Sequence, residues 1–184
     1  IGAHAALLAW KSGRPVKIIY DRFEDIAATT KRHPAALTVR RGARHDGTLT
    51  AYDMDCVMDG GAYVTLSPVV LSRGAIHAGG PYRWPAARIR ARAVATNTPP
   101  NGAFRGFGAP QTQFAVECHM DRMAAELGLD PLELRRRNAV KVGDVTPTGQ
   151  TLRESVGAHE CLDRTAKLSG YAERRARYTR ENAA

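Results

Sequence analysis

An Asp-Gly pair between two extended runs is the feature that most constrains the fold of this 184-residue chain. Asp46 and Gly47 separate residues 37–44 from residues 48–58, and both runs are typical of extended segments. A tight turn between strands needs positive φ, which glycine adopts at little cost. The pattern therefore predicts an antiparallel β-hairpin whose second strand ends at Gly60 and Gly61.

Other local signals predict helices and two further extended segments. The opening helix is rich in Ala and Leu around most of its circumference, which predicts that it is buried. Asp21, Ser67 and Asp130 stand where helix N-caps are expected, and Pro68 and Pro131 fit the first helical position. The predicted helices cover residues 2–12, 22–29, 67–77, 110–127, a stretch from 130 and the tail after 155, and the extended segments cover 16–20 and 82–95.

Strands and helices mix without a regular β-α-β alternation, and the clear strand pair is a hairpin. This order favours the α+β class, with mixed strands packed against several helices. Residues 1–128 are predicted to form an α+β core that contains a loop at 97–108, and residues 129–184 a helical C-terminal extension. The chain starts at Ile1 and enters a helix without a capping residue, so we expect it to be an internal fragment of a longer protein.

The net charge of +9 makes nucleic acid or an acidic protein a partner to consider. The basic residues are dispersed, however, and no basic stretch is interleaved with aromatic residues that would stack on bases. Solvated faces or a docking surface for an acidic partner are therefore favoured over nucleic-acid binding. Three widely spaced cysteines indicate free thiols rather than an iron–sulfur or zinc site. No apolar run has the roughly 20 residues of a membrane helix.

The stretch of residues 102–108, GAFRGFG, is the most informative for chemistry. Its glycines allow sharp turns and close approach to a ligand, and it leads into the N-terminus of a helix, where free N–H groups favour anionic atoms. On this evidence a ligand-binding loop and an ordinary packed turn are equally supported. Taken alone, Phe104 is expected in the core and Arg73 on the surface.

The same stretch is similar to the molybdopterin-contacting loop of the xanthine dehydrogenase and aldehyde oxidase family. Further stretches resemble that family in the same order along the chain, and the resemblance as a whole extends from about Gly2 to about Ala166. They are YDRFEDI at 20–26, RHP at 32–34, DGGAY at 59–63, SRG at 72–74, TNTPPNGAFRGFGAPQ at 96–111 and DPLELRRRN at 130–138.

The resemblance implies a molybdenum hydroxylase that oxidises a carbon of a purine-like N-heterocycle or an aldehyde, with water as the oxygen source. It places the backbone of Phe104, Arg105 and Gly106 at the molybdenum–molybdopterin cofactor and Phe107 at a flat substrate. Arg73 matches an arginine that, in purine-oxidising members, balances negative charge developing on the ring, which would make it both substrate-binding and catalytic. No residue of this chain is expected to ligate a metal directly.

The family also implies components that this sequence lacks. A catalytic glutamate and a Gly-rich cofactor segment have no match here, so the chain is expected to be inactive alone. Electrons are expected to pass to 2Fe-2S and FAD centres on partner subunits or domains, within a cytoplasmic and oligomeric enzyme. Gly106 stands where carbon monoxide-oxidising relatives carry a cysteine, which argues against that branch. The substrate itself stays open.

Overall fold

The computed structural model describes residues 1–183 and confirms the α+β class. Within these residues three strands form one mixed sheet, and there are seven helices. The elements follow in the order α1 (Gly2–Ser12), α2 (Arg22–Ala28), β1 (Ala35–Ala43), β2 (Leu49–Gly61), α3 (Ser67–His77), β3 (Ala86–Ala95), α4 (Ala109–Leu127), α5 (Pro131–Asn138), α6 (Ala158–Ser169) and α7 (Tyr171–Ala183). Of the helices, α3 and α4 pack against the sheet.

The predicted hairpin is confirmed. Strands β1 and β2 pair antiparallel, with Val39 opposite Met54, and Gly47 takes a φ of 85° in the turn between them. The Gly47 N–H donates to the Arg44 carbonyl at 2.8 Å. Strand β3 pairs with the other edge of β2 in parallel, with Ile89 opposite Met54. Because α3 joins β2 to β3, the sheet contains one β-α-β unit that the sequence pattern did not predict.

One face of β2 forms the floor of the core. Tyr52, Met54, Cys56 and Met58 alternate with less buried neighbours, as the two-residue period of a strand requires. Helix α4 covers this face with a stripe of side chains spaced four residues apart, which brings them onto one side of the helix. The stripe consists of Thr112, Val116, Met120 and Ala124, all fully buried.

The opposite face of the sheet is polar, because Arg88, Arg90 and Arg92 alternate with apolar residues along β3. Arg88 pairs with Asp53 at 2.8 Å, and Arg92 pairs with Asp55 at 3.1 Å. Arg90 also contacts Asp55, at 3.4 Å. Much of the basic charge in this stripe is therefore neutralised by carboxylates of the neighbouring strand.

Local capping signals located two helices correctly. The Asp21 carboxylate accepts the Glu24 N–H at 2.8 Å, and the Glu24 side chain returns a bond to the Asp21 N–H, which completes a capping box. At α5 the Asp130 carboxylate accepts the Leu132 N–H at 2.8 Å. The Glu133 carboxylate pairs with Arg136 and returns no bond to the Asp130 N–H, so α5 has an N-cap but no complete capping box.

Three predictions about elements were wrong. Helix α1 has the predicted bounds but buries none of its residues, and Trp10 is 75% exposed, because no other element of residues 1–183 covers it. Residues 16–20 are not a strand, since they have no pairing partner in the described part of the chain. Ser67 does not cap α3; it is the first helical residue, and its hydroxyl bonds to His33.

No helix in residues 1–183 combines the length and the apolar character needed to cross a membrane. Cys56 is buried, whereas Cys118 and Cys161 are exposed, and no disulfide joins any two of them in the described chain.

Candidate functional site

The predicted loop at residues 97–108 is anchored at its base by Asp59, near the end of β2. The Asp59 carboxylate accepts bonds from the Thr96 hydroxyl at 2.6 Å and from the Gly61 N–H at 2.9 Å. These bonds, the Thr96 bond first, hold the pKa of Asp59 below its usual range. The side chain of the buried Asn101 donates to the Asp59 carbonyl at 2.9 Å. The loop therefore leaves the sheet along a fixed path.

Glycine is required where the loop starts. A Cβ on Gly61 would lie 2.4 Å from the Pro99 carbonyl oxygen, and the φ of 77° already disfavours any other residue. The DGGAY stretch is therefore explained by the close passage of two backbones.

The tip of the loop is held in a conformation that L-amino acids rarely adopt. Gly106, Phe107 and Gly108 follow one another with φ values of 90°, 52° and 95°. A positive φ is an outlier for a bulky aromatic residue and persists only where surrounding contacts impose it. Here the Phe107 N–H donates to the Phe104 carbonyl at 2.8 Å, and the Phe107 ring packs against the core. This ring is half-buried, so one part of it stays accessible.

Phe104, Arg105 and Gly106 are exposed at this tip. Phe104, which its residue type alone places in the core, is 53% exposed, so that expectation is wrong. Its ring stacks against the Arg32 guanidinium, with 4.5 Å between the ring centroid and Cζ. Arg32 also donates to the Arg105 carbonyl at 2.5 Å. Arg32 thus contacts both the Phe104 ring and the Arg105 carbonyl, although sequence reasoning did not single it out for this role.

Helix α3 packs directly on the loop and carries Arg73 to it. A Cβ on Gly108 would lie 2.1 Å from the Val70 carbonyl oxygen and 2.9 Å from the Gly74 nitrogen, so the two backbones touch. Arg73 immediately precedes Gly74 and is exposed. Its side chain makes no hydrogen bond or ion pair with any other residue of 1–183. The backbone of α3 next to Arg73 therefore lies against the loop, and the Arg73 side chain is exposed.

A buried histidine lies beneath the loop. His33 is 1% exposed, and its Nε2 lies 2.8 Å from the Ser67 hydroxyl. Burial lowers the pKa of His33, against smaller opposing contributions from Gly102 and Asp59. The Gln111 side chain donates to the His33 carbonyl at 3.1 Å, which links the start of α4 to residues 32–34. His77, by contrast, is exposed at the end of α3.

Unpaired donors remain on the loop. The N–H groups of Gly106 and Gly108 have no hydrogen-bond partner in residues 1–183, and Gly106 is exposed whereas Gly108 is buried against α3. No side chain of the described chain caps the N-terminus of α4. Helix N-termini and adjacent free N–H groups bind anionic or hydrogen-bond-accepting atoms. Residues 1–183 contain no cluster of three or more His, Cys, Asp or Glu side chains suited to a metal ion, so the available contacts are backbone donors and guanidinium groups.

Comparison with known proteins is consistent with this site. A family model described as the molybdopterin cofactor-binding domain matches residues 1–139. The chain is 47% identical over 167 residues to a probable xanthine dehydrogenase subunit of Bacillus subtilis, a match that covers 91% of this chain and 22% of that protein. It is 39% identical over 179 residues to the nicotinate dehydrogenase large molybdopterin subunit of Eubacterium barkeri, covering 95% and 42%.

The solved structures agree. The aldehyde oxidoreductase from Desulfovibrio gigas superposes with a TM-score of 0.84 at 39% identity, covering 96% of this chain and 19% of that one. The chain thus spans about a fifth to two fifths of the length of these relatives. The family resemblance inferred from the loop and its companion motifs is confirmed, and the chain belongs to the molybdopterin cofactor-binding domain family of xanthine dehydrogenases and aldehyde oxidoreductases.

Proposed function

We propose that this chain forms part of the active site of a molybdenum hydroxylase. The reaction is the oxidation of a carbon in an N-heterocycle or an aldehyde, with water as the oxygen source and electrons passed to iron–sulfur and flavin centres. The observation that carries the proposal is the exposed tip of the loop, where Phe104, Arg105 and Gly106 stand beside free N–H groups at the N-terminus of α4.

The residues present fit a molybdenum–molybdopterin cofactor on this side. Molybdopterin carries a phosphate and a ring system with several hydrogen-bonding atoms, and such groups are well matched by free backbone donors at a helix N-terminus. We assign cofactor contact to the backbone of Phe104, Arg105 and Gly106. The cofactor, when bound, supplies the redox chemistry, and the chain supplies position and electrostatics.

We assign the substrate side to Phe107 and Arg73. The accessible part of the Phe107 ring offers an aromatic surface on which a flat heterocycle can stack. The free Arg73 guanidinium, carried by α3 to the same loop, would stabilise negative charge that develops on the ring during oxidation. Arg73 therefore acts as a catalytic residue by electrostatic stabilisation, and it favours an N-heterocycle over an aldehyde as substrate.

The names of the relatives leave the same range of substrates open. They include a probable xanthine dehydrogenase, a nicotinate dehydrogenase and an aldehyde oxidoreductase. Of these three classes, only the purine and pyridine rings accumulate the ring charge that a guanidinium would stabilise. We therefore propose an N-heterocycle substrate, with an aldehyde as the outcome that would correct this choice.

The test is to purify the whole enzyme that contains these 184 residues, with its partner subunits, from cells that make molybdopterin and to measure molybdenum and pterin per subunit. Turnover with xanthine, nicotinate and benzaldehyde is then compared, using an artificial electron acceptor. We expect stoichiometric molybdenum and faster turnover of a heterocycle. A whole enzyme that folds and carries neither molybdenum nor pterin contradicts the proposed function.

The alternative of a basic docking module is less well supported. The arginines of β3 are paired with Asp53 and Asp55, so they do not form a free cationic surface. A salt-dependent shift of DNA on a gel, in the absence of molybdenum, would favour the alternative. We further propose that residues 1–128 form the cofactor-binding core and that residues 129–184 are a helical extension, divided where Gly128 ends α4.

A further inference from the structure

The Arg32 side chain contacts two residues at the tip of the loop, Phe104 and Arg105. It is half-buried, lies 73 residues before Arg105 in the chain and forms no ion pair with any residue of 1–183. One of its terminal nitrogens donates to the Arg105 carbonyl at 2.5 Å, while its Cζ lies 4.5 Å from the centroid of the Phe104 ring. The other terminal nitrogen, Nη1, is buried without a partner in the described chain. The positive charge of Arg32 is therefore shared with a carbonyl and a ring rather than cancelled by a carboxylate.

The backbone that carries Arg32 is held on both sides. Lys31 bridges to Asn101, and its carbonyl accepts the Gly102 N–H at 2.9 Å. His33 is buried and bonded to Ser67. These bonds fix the backbone at Arg32 relative to the base of the loop and to α3, so its guanidinium is held in place to contact the tip of the loop.

The hydrogen bond to the Arg105 carbonyl also affects the N–H group of the same peptide, which belongs to Gly106. A trans peptide is planar, and no cis bond occurs in the described chain, so fixing the Arg105 carbonyl also fixes the direction of the Gly106 N–H. A cationic donor at the carbonyl draws electron density from the amide and strengthens its N–H as a donor, the cooperativity known from hydrogen-bond chains. The Gly106 N–H is one of the donors that have no partner in residues 1–183.

We propose that Arg32 is a positioning residue for the cofactor loop. Its guanidinium fixes the plane of the peptide between Arg105 and Gly106 and strengthens the Gly106 N–H as a donor to an accepting ligand atom. The same guanidinium holds the Phe104 ring in its exposed position by a cation–π contact. The identity of the ligand in this inference rests on the proposed function. The contacts of Arg32 with Phe104 and Arg105 do not depend on it.

The test compares Arg32→Met and Arg32→Lys with wild type, and Arg22→Met is the matched control. Methionine keeps much of the length and removes the charge, whereas lysine keeps the charge but lacks the planar fork that contacts carbonyl and ring together. Arg22 is an exposed arginine whose ion pair is with Asp25 on the same helix, so its loss leaves the loop untouched.

Hydrogen exchange is measured at the Phe107 and Ala109 amides of the protein without cofactor, and turnover is measured per bound molybdenum in the holoenzyme. Loss of a hydrogen bond to a charged group changes an equilibrium constant or a rate by a factor on the order of 10 to 100. We expect both Arg32 variants to accelerate loop exchange and to lower kcat per molybdenum by such a factor, with lysine less severe. The electron paramagnetic resonance spectrum of the bound molybdenum should change with Arg32→Met and not with Arg22→Met.

Unchanged loop exchange in both Arg32 variants would overturn the inference. Exchange that rises equally in β1 and β2 would also overturn it, since Arg32 would then be a general stability residue. If Arg32→Met does not fold, Arg32→Lys decides by the same criteria. A wild-type whole enzyme that folds without molybdenum refutes the proposed function, while loop exchange still decides whether Arg32 holds the loop.

Discussion

At the scale of single residues, Arg73 is the most direct test of the substrate side of the site. A guanidinium that meets charge present only in the transition state lowers the barrier without tightening ground-state binding. Removing one such donor typically costs on the order of 100- to 1,000-fold in rate. We therefore expect Arg73→Met to lower kcat for a heterocycle by about this factor at full cofactor loading. Normal heterocycle turnover would show that Arg73 is a surface residue, and a loss equal for heterocycle and aldehyde would argue against a role in ring charge.

Phe107 should respond differently, because in the proposed function its ring would position the substrate and would not meet developing charge. Phe107→Ala is expected to raise KM at least as much as it lowers kcat. Molybdenum content, measured in both variants, is the control for a general defect. If Phe107→Ala lowers only kcat, or if molybdenum is lost from it and from Arg73→Met alike, the division of roles between Phe107 and Arg73 is wrong.

His33 gives the fold a predictable pH dependence. Burial lowers its pKa from the usual value of about 6.5. As the pH falls through 6.5, the unfolded chain takes up a proton that the folded chain still refuses, so the free energy of unfolding decreases until the lower folded pKa is passed. Urea denaturation between pH 8 and pH 5 should therefore show a smaller slope with pH in His33→Gln than in wild type. His45→Gln, at an exposed position, is the control and should keep the wild-type slope; equal slopes in all three proteins would contradict the prediction.

At the scale of elements, Asp130 joins α5 to α7 through one carboxylate. It caps α5 at the Leu132 N–H, and it accepts the Arg175 Nε at 2.8 Å and the Tyr171 hydroxyl at 3.0 Å from α7. A lost cap costs about 1 kcal/mol and an exposed ion pair less than that, so Asp130→Ala should lower the free energy of unfolding by about 2 kcal/mol.

Two further variants separate the contributions of Asp130. Asp130→Asn keeps a capping oxygen and should recover about half of the loss. Asp163→Ala removes an exposed ion pair with Arg136 and should cost under about 1 kcal/mol. Limited proteolysis should cut α7 faster in Asp130→Ala than in Asp163→Ala, and equal rates would contradict the link between Asp130 and α7.

The elements that sequence predicted correctly are those with signals inside the element. The Asp21 and Asp130 carboxylates accept N–H groups no more than three residues further along the chain, and Gly47 adopts the positive φ that its own turn requires. Errors arose where a distant residue decides. Ser67 was assigned as a cap, but its hydroxyl bonds to His33, 34 residues away. The parallel pairing of β3 depends likewise on a crossover through α3, which no local pattern specifies.

The candidate site shows the same difference between local signals and contacts with distant residues. Glycine spacing and aromatic residues marked the loop, and family resemblance marked Arg73, Phe104, Arg105, Gly106 and Phe107. Sequence could not reveal that Arg32 holds the Arg105 carbonyl or that Asp59 anchors Thr96, because these contacts span 73 and 37 residues. The RHP and DGGAY stretches were recognised as family motifs, and the structure supplies the reason for both.

At the scale of the whole molecule, the described chain leaves considerable apolar surface exposed. Helix α1 presents Leu7, Leu8 and Trp10 to solvent, and the segment before α3 presents Tyr63 and Val64. The site is likewise open, since Phe104, Arg105 and Gly106 are all exposed. A site built from one loop and one helix end makes contact with part of a large cofactor.

The openness of the site determines what we expect of the 184 residues expressed alone. A large anionic cofactor needs contacts on several sides, and this chain offers one exposed loop with a few donors. We expect the isolated chain to fold, to retain no molybdopterin through purification and to give no turnover. In hydrogen exchange, the amides of residues 97–108 should exchange faster than those of β1 and β2, whose pairing is continuous, because the loop has no ligand to order it. A stoichiometric pterin that co-purifies with the isolated chain, or loop amides protected as well as the hairpin, would contradict this expectation and would mean that the loop and α4 suffice to hold the cofactor.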